Sequence, residues 1–315
     1  LGINGSQKMK KILVLYYTQT GQQKEILDQM LSPLIQNPEM RVDFHAIKPI
    51  PDYPFPWDSE QFFDAFPESF LEIPSEIAPL PTQVLSEDYD LIILGYQVWY
   101  LSPSIPFNSL LKSEQGKQLL AGKPVVTVIG CRNMWVNAQE KVKKSLKNIG
   151  AQLVGNIALV DRSVNHVSLV TIVHWMFTGK KDRYLGVFPK PGVSDQDIQQ
   201  SKRFGQTLIP FILNGQYQGL QEALLAQGAV MIRSLLVFID QRGSAIFAKW
   251  AAIIRKKGLP GDPKRRPWLK AFYVYLWIAL WIIAPIVSAA YMVLHLPFLP
   301  LIQKKIRYYK SVPVQ

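Results

Sequence analysis

The chain has 315 residues, 48% of them apolar, and a formal net charge of +12 at neutral pH. That length supports about two domains with a sizeable core, and the single cysteine, Cys131, excludes an intramolecular disulfide and a cysteine-based metal cluster. The charge favours an anionic partner; much of it flanks an apolar segment, at residues 255–270 and 304–310, which favours a membrane surface over nucleic acid.

Residues 1–8 precede a Met followed by lysines and read as a scar or a loose tail. Residues 12–17, ILVLYY, are too short a run for a signal peptide and read as a buried strand. The strand empties into Thr18, Gln19, Thr20, Gly21 and Gln22, and an amphipathic run over 24–35 follows. Its apolar positions, Ile26, Leu27, Met30, Leu31 and Leu34, fit a helical period; Pro33 disturbs the last turn and Pro38 ends it. A strand, a hydroxyl- and glycine-bearing loop and a helix start predict a phosphate site. The helix offers unpaired N–H groups and a positive dipole end, Thr18 and Thr20 offer hydroxyls, and Gly21 permits close approach. A plain strand–helix turn is the competing reading.

Residues 40–47 alternate and predict a second strand. Residues 49–81 hold eight prolines and many aromatics without a sustained period. One short helix is expected there, over 59–66, capped by Asp58 or Ser59. Such an insertion serves as a lid, a binding wall or an interface, or packs its own aromatics on the surface. Three more strands follow, at 89–94, 123–129 and 152–159, with helices expected at 107–113 and 137–149. Strands alternating with helices imply an α/β fold with a five-stranded, doubly wound parallel sheet, whose ligands bind beyond the strand C-termini.

The loops at that edge carry distinctive chemistry. Gln97, Val98, Trp99, Tyr100 and Leu101 set flat aromatics beside main-chain donors, which suits an isoalloxazine ring, or an aromatic core plug. Gly130, Arg132, Asn133 and Trp135 follow the next strand; backbone N–H groups, Arg132 and Asn133 suit the N1/O2 side of a flavin, and a surface arginine is the plainer reading. Further on, residues 169–177 are apolar with His174 and Trp175, and 195–213 read as one helix capped by Ser194 and kinked at Pro210. One or two helices are expected over 221–257. Residues 272–296 carry no Asp, Glu, Lys or Arg and are long enough to span a bilayer. Basic groups and tryptophans flank them, and Pro285 is expected to kink them. A spanning helix, an in-plane anchor and a dimer-forming helix all remain open.

The order ILVLYYTQTGQ, YDLIILGYQVWYLSPSIP, KPVVTVIGCRNMW resembles the flavodoxin-like fold, with Gln23 in place of the last hydroxyl of its phosphate loop. The Trp99-Tyr100 loop is similar to that of flavin quinone reductases. FPWDSEQFFDAFPESF, GCRNMWVNAQEKVKK, VGNIALVDR, WMFTGKKDRYLGVFPKPGVSD and WAAIIRKK resemble the bacterial dialkylresorcinol condensing enzyme family, over residues 10–257. The resemblance implies an FMN-dependent aromatisation of 2,5-dialkylcyclohexane-1,3-diones beside a ketosynthase partner.

The chemistry of such a reaction points to His174 and Tyr184 as bases, with His166 behind them, and to Arg132 as the cation holding the enolate; Lys180 and Lys181 are further candidates for that cation, or form a solvated turn. Cys131 reads as a small residue after a strand. Residues 51–70 and 169–177 are expected to line an apolar channel for the alkyl chains. The expected organisation is a flavodoxin-like FMN-binding domain over 9–215 with the insertion at 49–81, and a helical, membrane-associating extension over 216–315. The expected location is the cytoplasmic face of an anionic membrane, with no nucleic acid and with a homodimer allowed. The alternatives are an NAD(P)H:quinone oxidoreductase and a flavin-free scaffold for the ketosynthase.

Overall fold

The computed structural model describes residues 9–313, so the tail expected at 1–8 lies outside the described residues. Strand β1 (Lys10–Tyr16) leads into helix α1 (Gln22–Ile35), and β2 (Met40–Ala46) follows. The insertion contributes α2 (Ser59–Asp64) and α3 (Phe66–Phe70). Then come β3 (Leu91–Trp99), α4 (Ile105–Lys112), β4 (Pro124–Cys131), α5 (Val136–Ile149), β5 (Gln152–Val160) and α6 (Asn165–Thr178). The remaining long helices are α7 (Lys202–Asn214), α8 (Ser234–Arg255), α9 (Arg266–Ile278), α10 (Ala284–Leu294) and α11 (Leu299–Lys310).

All five strands are parallel, in the order β2-β1-β3-β4-β5. This is the flavodoxin-like order, whose topological switch point lies between β1 and β3. Helices cover both faces, so the central strands are continuous apolar runs: Ile12–Leu15 and Leu91–Leu94 are fully buried. Leu220 and Leu224 pack into the same core, against Gly155 of β5.

Several elements depart from the sequence reading. Strand β3 continues through residues 95–99, read from sequence as loop, because Tyr96 and Gln97 pair with Ile129 and Gly130 of the lengthened β4. The single helix expected over 195–213 is two, parted at Ser201, whose hydroxyl bonds the Ile198 carbonyl at 2.6 Å; Pro210 stays inside α7. The helix expected over 59–66 breaks at Ala65 into α2 and α3, with Asp58 accepting from the Glu60 N–H as N-cap. Pro285 does not interrupt its helix. A π-turn, Ala279–Ile283, precedes it, and the chain stays helical from Pro263 to Leu294.

The apolar helix is tied to the insertion by a buried ion pair. Arg265 is fully buried and holds both carboxylate oxygens of buried Glu68, at 3.1 and 2.8 Å, and the Asp64 carbonyl at 3.0 Å. Phe272 then stacks flat on Phe66, with ring centroids 3.9 Å apart. Removing one partner of a buried pair strands the other charge. Arg265→Ala is therefore expected to lower the unfolding free energy by about 3–5 kcal/mol, measured by urea denaturation; a loss of under about 1 kcal/mol would mean the pair is solvated.

Candidate functional site

Three loops meet at the C-terminal edge of the sheet. The first follows β1. Gly21 caps α1 at φ +84°, a left-handed conformation that suits glycine, and the first helical N–H, that of Gln22, donates to the Thr20 hydroxyl at 3.4 Å. The hydroxyl of Thr18 is buried there without a hydrogen-bond partner. Gln19 has other duties: its side chain donates to the Pro54 carbonyl at 2.8 Å and accepts from the Trp57 indole at 3.0 Å. The side chain of Gln22 is held by the Val193 backbone, accepting from its N–H and donating to its carbonyl, both at 3.0 Å. Gln23 turns into the core and donates to the Val128 carbonyl at 2.9 Å. Its Oε1 lies 2.5 Å from where a Cβ on Gly130 would sit, so Gly130 is what makes room for it. The residue standing in place of the loop's last hydroxyl is thus a core strut.

The second loop is a tight reversal. Val98 and Trp99 pair antiparallel with Pro103 and Ser102, which puts Tyr100 (φ 49°) and Leu101 (φ 62°) at the turn. Consecutive positive φ values normally call for Asn-Gly, and each costs roughly 1–3 kcal/mol in other residues. The insertion holds the turn in place. The Tyr100 hydroxyl donates to the Phe62 carbonyl at 2.6 Å, and Ser69 donates to the Trp99 carbonyl at 3.1 Å. Trp99 sits edge-on to Tyr17, Tyr53 and Trp57 at 5.1–5.8 Å between ring centroids.

The third loop carries Cys131, Arg132 and Asn133. Burial pushes the Cys131 thiol well above the usual range. Burial also pulls the Arg132 guanidinium down to about 10, against the pull of Asp161, so it remains a cation at neutral pH. Arg132 donates to the Asn165 carbonyl at 3.1 Å. Asn133 donates to the Asn165 side chain at 2.9 Å.

Between these loops lies a slot of about 210 Å³. It gathers Gln19, Thr20, Gln22, Gln97, Val98, Trp99, Tyr100, Gly130 and Arg132 of the expected set. Trp57, Phe62, Cys131, Ile172, Trp175, Met176 and Gly192 complete its wall. Beside it is an apolar chamber of about 450 Å³. Phe62, Val98, Tyr100, Arg132, Ile172 and Met176 line both spaces. The chamber is closed by Leu169, Val173 and Phe177 of α6 and by Tyr273, Leu276, Trp277 and Leu280 of the apolar helix. Leu101 also faces the chamber.

The other expected residues lie elsewhere. Trp135 is 2% exposed and lines, with Asn133, only a separate space of about 20 Å³. His174 pairs with Asp182 at 2.9 Å and stacks on Tyr184 at 4.4 Å; neither ring lines the slot or the chamber. The reason is helical phase: Ile172, Val173 and Met176 face inward, and His174 lies between them on the outer side. His166 contacts the Leu280 carbonyl at 3.2 Å. Lys181 bridges Glu25 and Asp195, and exposed Lys180 lines neither space. Sequence reasoning had Trp57 and Trp175 only within the segments 51–70 and 169–177 expected to line the alkyl channel; tertiary packing brings both to the slot instead.

Over part of its length the chain is similar to a solved structure. A candidate flavoprotein from Bacteroides eggerthii DSM 20697, determined at 1.40 Å resolution, is 18% identical, covers 53% of this chain and 95% of its own, and superposes with a TM-score of 0.37. No protein-family model matches the chain, and neither does any protein of curated function. The raised thiol of Cys131 gives a direct check on the third loop. Native protein is expected to resist iodoacetamide at neutral pH and to react fully once unfolded, as read by mass spectrometry; fast native alkylation would place that loop in solvent.

Proposed function

We propose that the protein is an FMN-dependent oxidoreductase that aromatises 2,5-dialkylcyclohexane-1,3-diones to dialkylresorcinols. The observation that carries this reading is the junction of a polar slot and an apolar chamber at one cation, Arg132. The slot lies at the switch point where this sheet order binds mononucleotides. The partnerless buried hydroxyl of Thr18 leaves one donor of this loop unused. Thr20 and the start of α1 would hold the phosphate, with the Thr18 hydroxyl behind the slot wall, and Gln97, Trp99, Tyr100 and Arg132 would hold the ring system. Bound FMN would supply a two-electron acceptor for hydride.

The substrate must lose two electrons and two protons. A cyclic 1,3-dione is about as acidic as a carboxylic acid, so it arrives largely as its enolate. The chain then has to hold an anion, and Arg132 is the cation at the junction. Among the described residues, no histidine and no carboxylate lines either space. His174 and Tyr184 are accordingly left out of this reading, and the first proton is lost to water before binding. The chamber walls from α2, α6 and α9 accept an alkyl chain.

Two measurements test this. Gly21→Asp puts a carboxylate at the phosphate position, and the purified variant is expected to lose its visible flavin band and to release no FMN on denaturation; retained flavin in a folded variant would overturn the loop assignment. Arg132→Met keeps the apolar wall and is expected to lower kcat/KM for the dione by about 100-fold or more, with Arg132→Lys recovering part. A flavin-loaded protein that oxidises NAD(P)H with quinones and leaves the dione untouched would be a quinone reductase. A protein that takes up no flavin would be a scaffold.

A further inference from the structure

Pro263–Leu294 is, among the described residues, the one helix long and apolar enough to cross a membrane. Its 32 residues would extend about 48 Å, against a hydrocarbon core of about 30 Å. Both of its flanks return to the same body. At the start, Arg265 is buried on Glu68. Beyond the end, α11 comes back: Tyr308 donates to Glu140, Gln241 donates to Tyr309, and Gln221 donates to the Lys310 carbonyl at 2.8 Å. The middle also touches the body, through His166 on the Leu280 carbonyl and Phe238 on Tyr291. A helix held at both ends and in the middle by one body cannot put those ends on opposite sides of a bilayer.

The outward side of this helix is apolar and bare. Ile278 is 44% exposed, Ile282 57%, Ile286 64% and Val293 73%. Exposed lysines and arginines mark both ends: Lys264 and Lys270 in its first turns, and Lys304, Lys305 and Arg307 after it. Apolar surface rimmed by cations is the pattern of a helix lying in an anionic membrane interface. The inward side, Tyr273, Leu276, Trp277 and Leu280, lines the chamber. Tyr273 and Trp277 both line the chamber and remain 40% and 37% exposed. They stand at its mouth, on the same element that carries the bare apolar surface.

We infer that the helix lies flat in the surface of an anionic bilayer, and that the chamber opens beside Tyr273 and Trp277 into the lipid, so that an alkyl-tailed substrate enters from the membrane. Only the identity of that substrate rests on the aromatase reading; the mount and the opening rest on packing and exposure. Entry from lipid also accounts for a chamber whose walls come from three elements distant in sequence and whose single charge, Arg132, lies at the inner end.

The test uses full-length protein on sealed vesicles of phosphatidylcholine with and without phosphatidylglycerol. Lys264→Cys and Lys304→Cys are labelled separately with a membrane-impermeant maleimide added outside, each in a Cys131→Ser background because Cys131 is only half-buried. Labelling of both positions on anionic vesicles is expected. Protection of one alone would mean a spanning helix, and binding only as a dimer, without vesicles, would mean that a second copy covers the surface; either overturns the mount. For the opening, a photoreactive long-chain alkylresorcinol is dissolved in the vesicles and crosslinks are mapped. Crosslinks to residues 169–177 and to Leu276, Trp277 and Leu280 are expected, and Leu280→Arg should lower those to 169–177 at least tenfold while vesicle binding persists. Leu280→Gln serves if the arginine variant fails to fold. Crosslinks confined to the outward residues 278, 282 and 286 would overturn the opening. Chamber crosslinks in a protein that oxidises no dione would overturn the aromatase reading and leave the opening standing.

Discussion

The buried contact between Arg265 and Glu68 fixes two parts of the molecule at once. On one side Glu68 belongs to α3, and the insertion helices hold the Tyr100–Leu101 turn through the Phe62 carbonyl and Ser69. On the other side Arg265 begins the helix whose inner face closes the chamber. Slot and chamber therefore share a hinge of ionic and aromatic contacts. A pair like this adds little net stability compared with apolar groups of the same shape. Its effect is positional, since the buried Arg265 guanidinium is satisfied only where Glu68 and Asp64 meet it, with Arg255 also 3.6 Å from Glu68.

That fixing explains how the turn after β3 can exist. Tyr and Leu at positive φ are strained, and nothing within residues 98–103 removes the strain. The compensation comes from outside: the Tyr100 ring packs against Phe62 and Phe66, and its hydroxyl is bonded. Burial pushes that hydroxyl well above its usual range, so it serves as a fixed donor. The turn sets residues 97–100 along the slot.

Much of this was legible in the residues, and the limits have physical causes. The sheet could be read because a parallel strand buried on both faces is a continuous apolar run, as in residues 12–17. The step from β1 through residues 17–21 into α1 could be read because its pattern is local. The ends of β3 and β4 could not, since residues 95–99 and 130–131 become strand only by pairing with each other across the sheet. Arg265 was read as one more flanking cation; its burial depends on Glu68, 197 positions away. His174 attracted attention because a histidine among apolar residues looks purposeful. A helix has an outside, though, and the phase of residues 169–177 decides which side chains reach the cavity. The Trp57 and Trp175 walls needed the insertion and α6 folded against each other, which no spacing announces.

Arg132 gives the junction its selectivity. Asp161, the nearest source of opposing charge, already accepts from the Ser168 hydroxyl at 2.6 Å and the Ser163 N–H at 2.8 Å. The guanidinium is thus left with a carbonyl, that of Asn165, as its bonded partner in the protein. A cation placed among Phe62, Ile172 and Met176 is poorly solvated, and an anion arriving there restores what water supplied. A neutral ketone restores much less. Under the proposed reading, the apolar walls that would hold an alkyl chain would also strengthen the attraction for an acidic head group. Chain and head group would then be selected together, by a site in which neither feature would suffice alone.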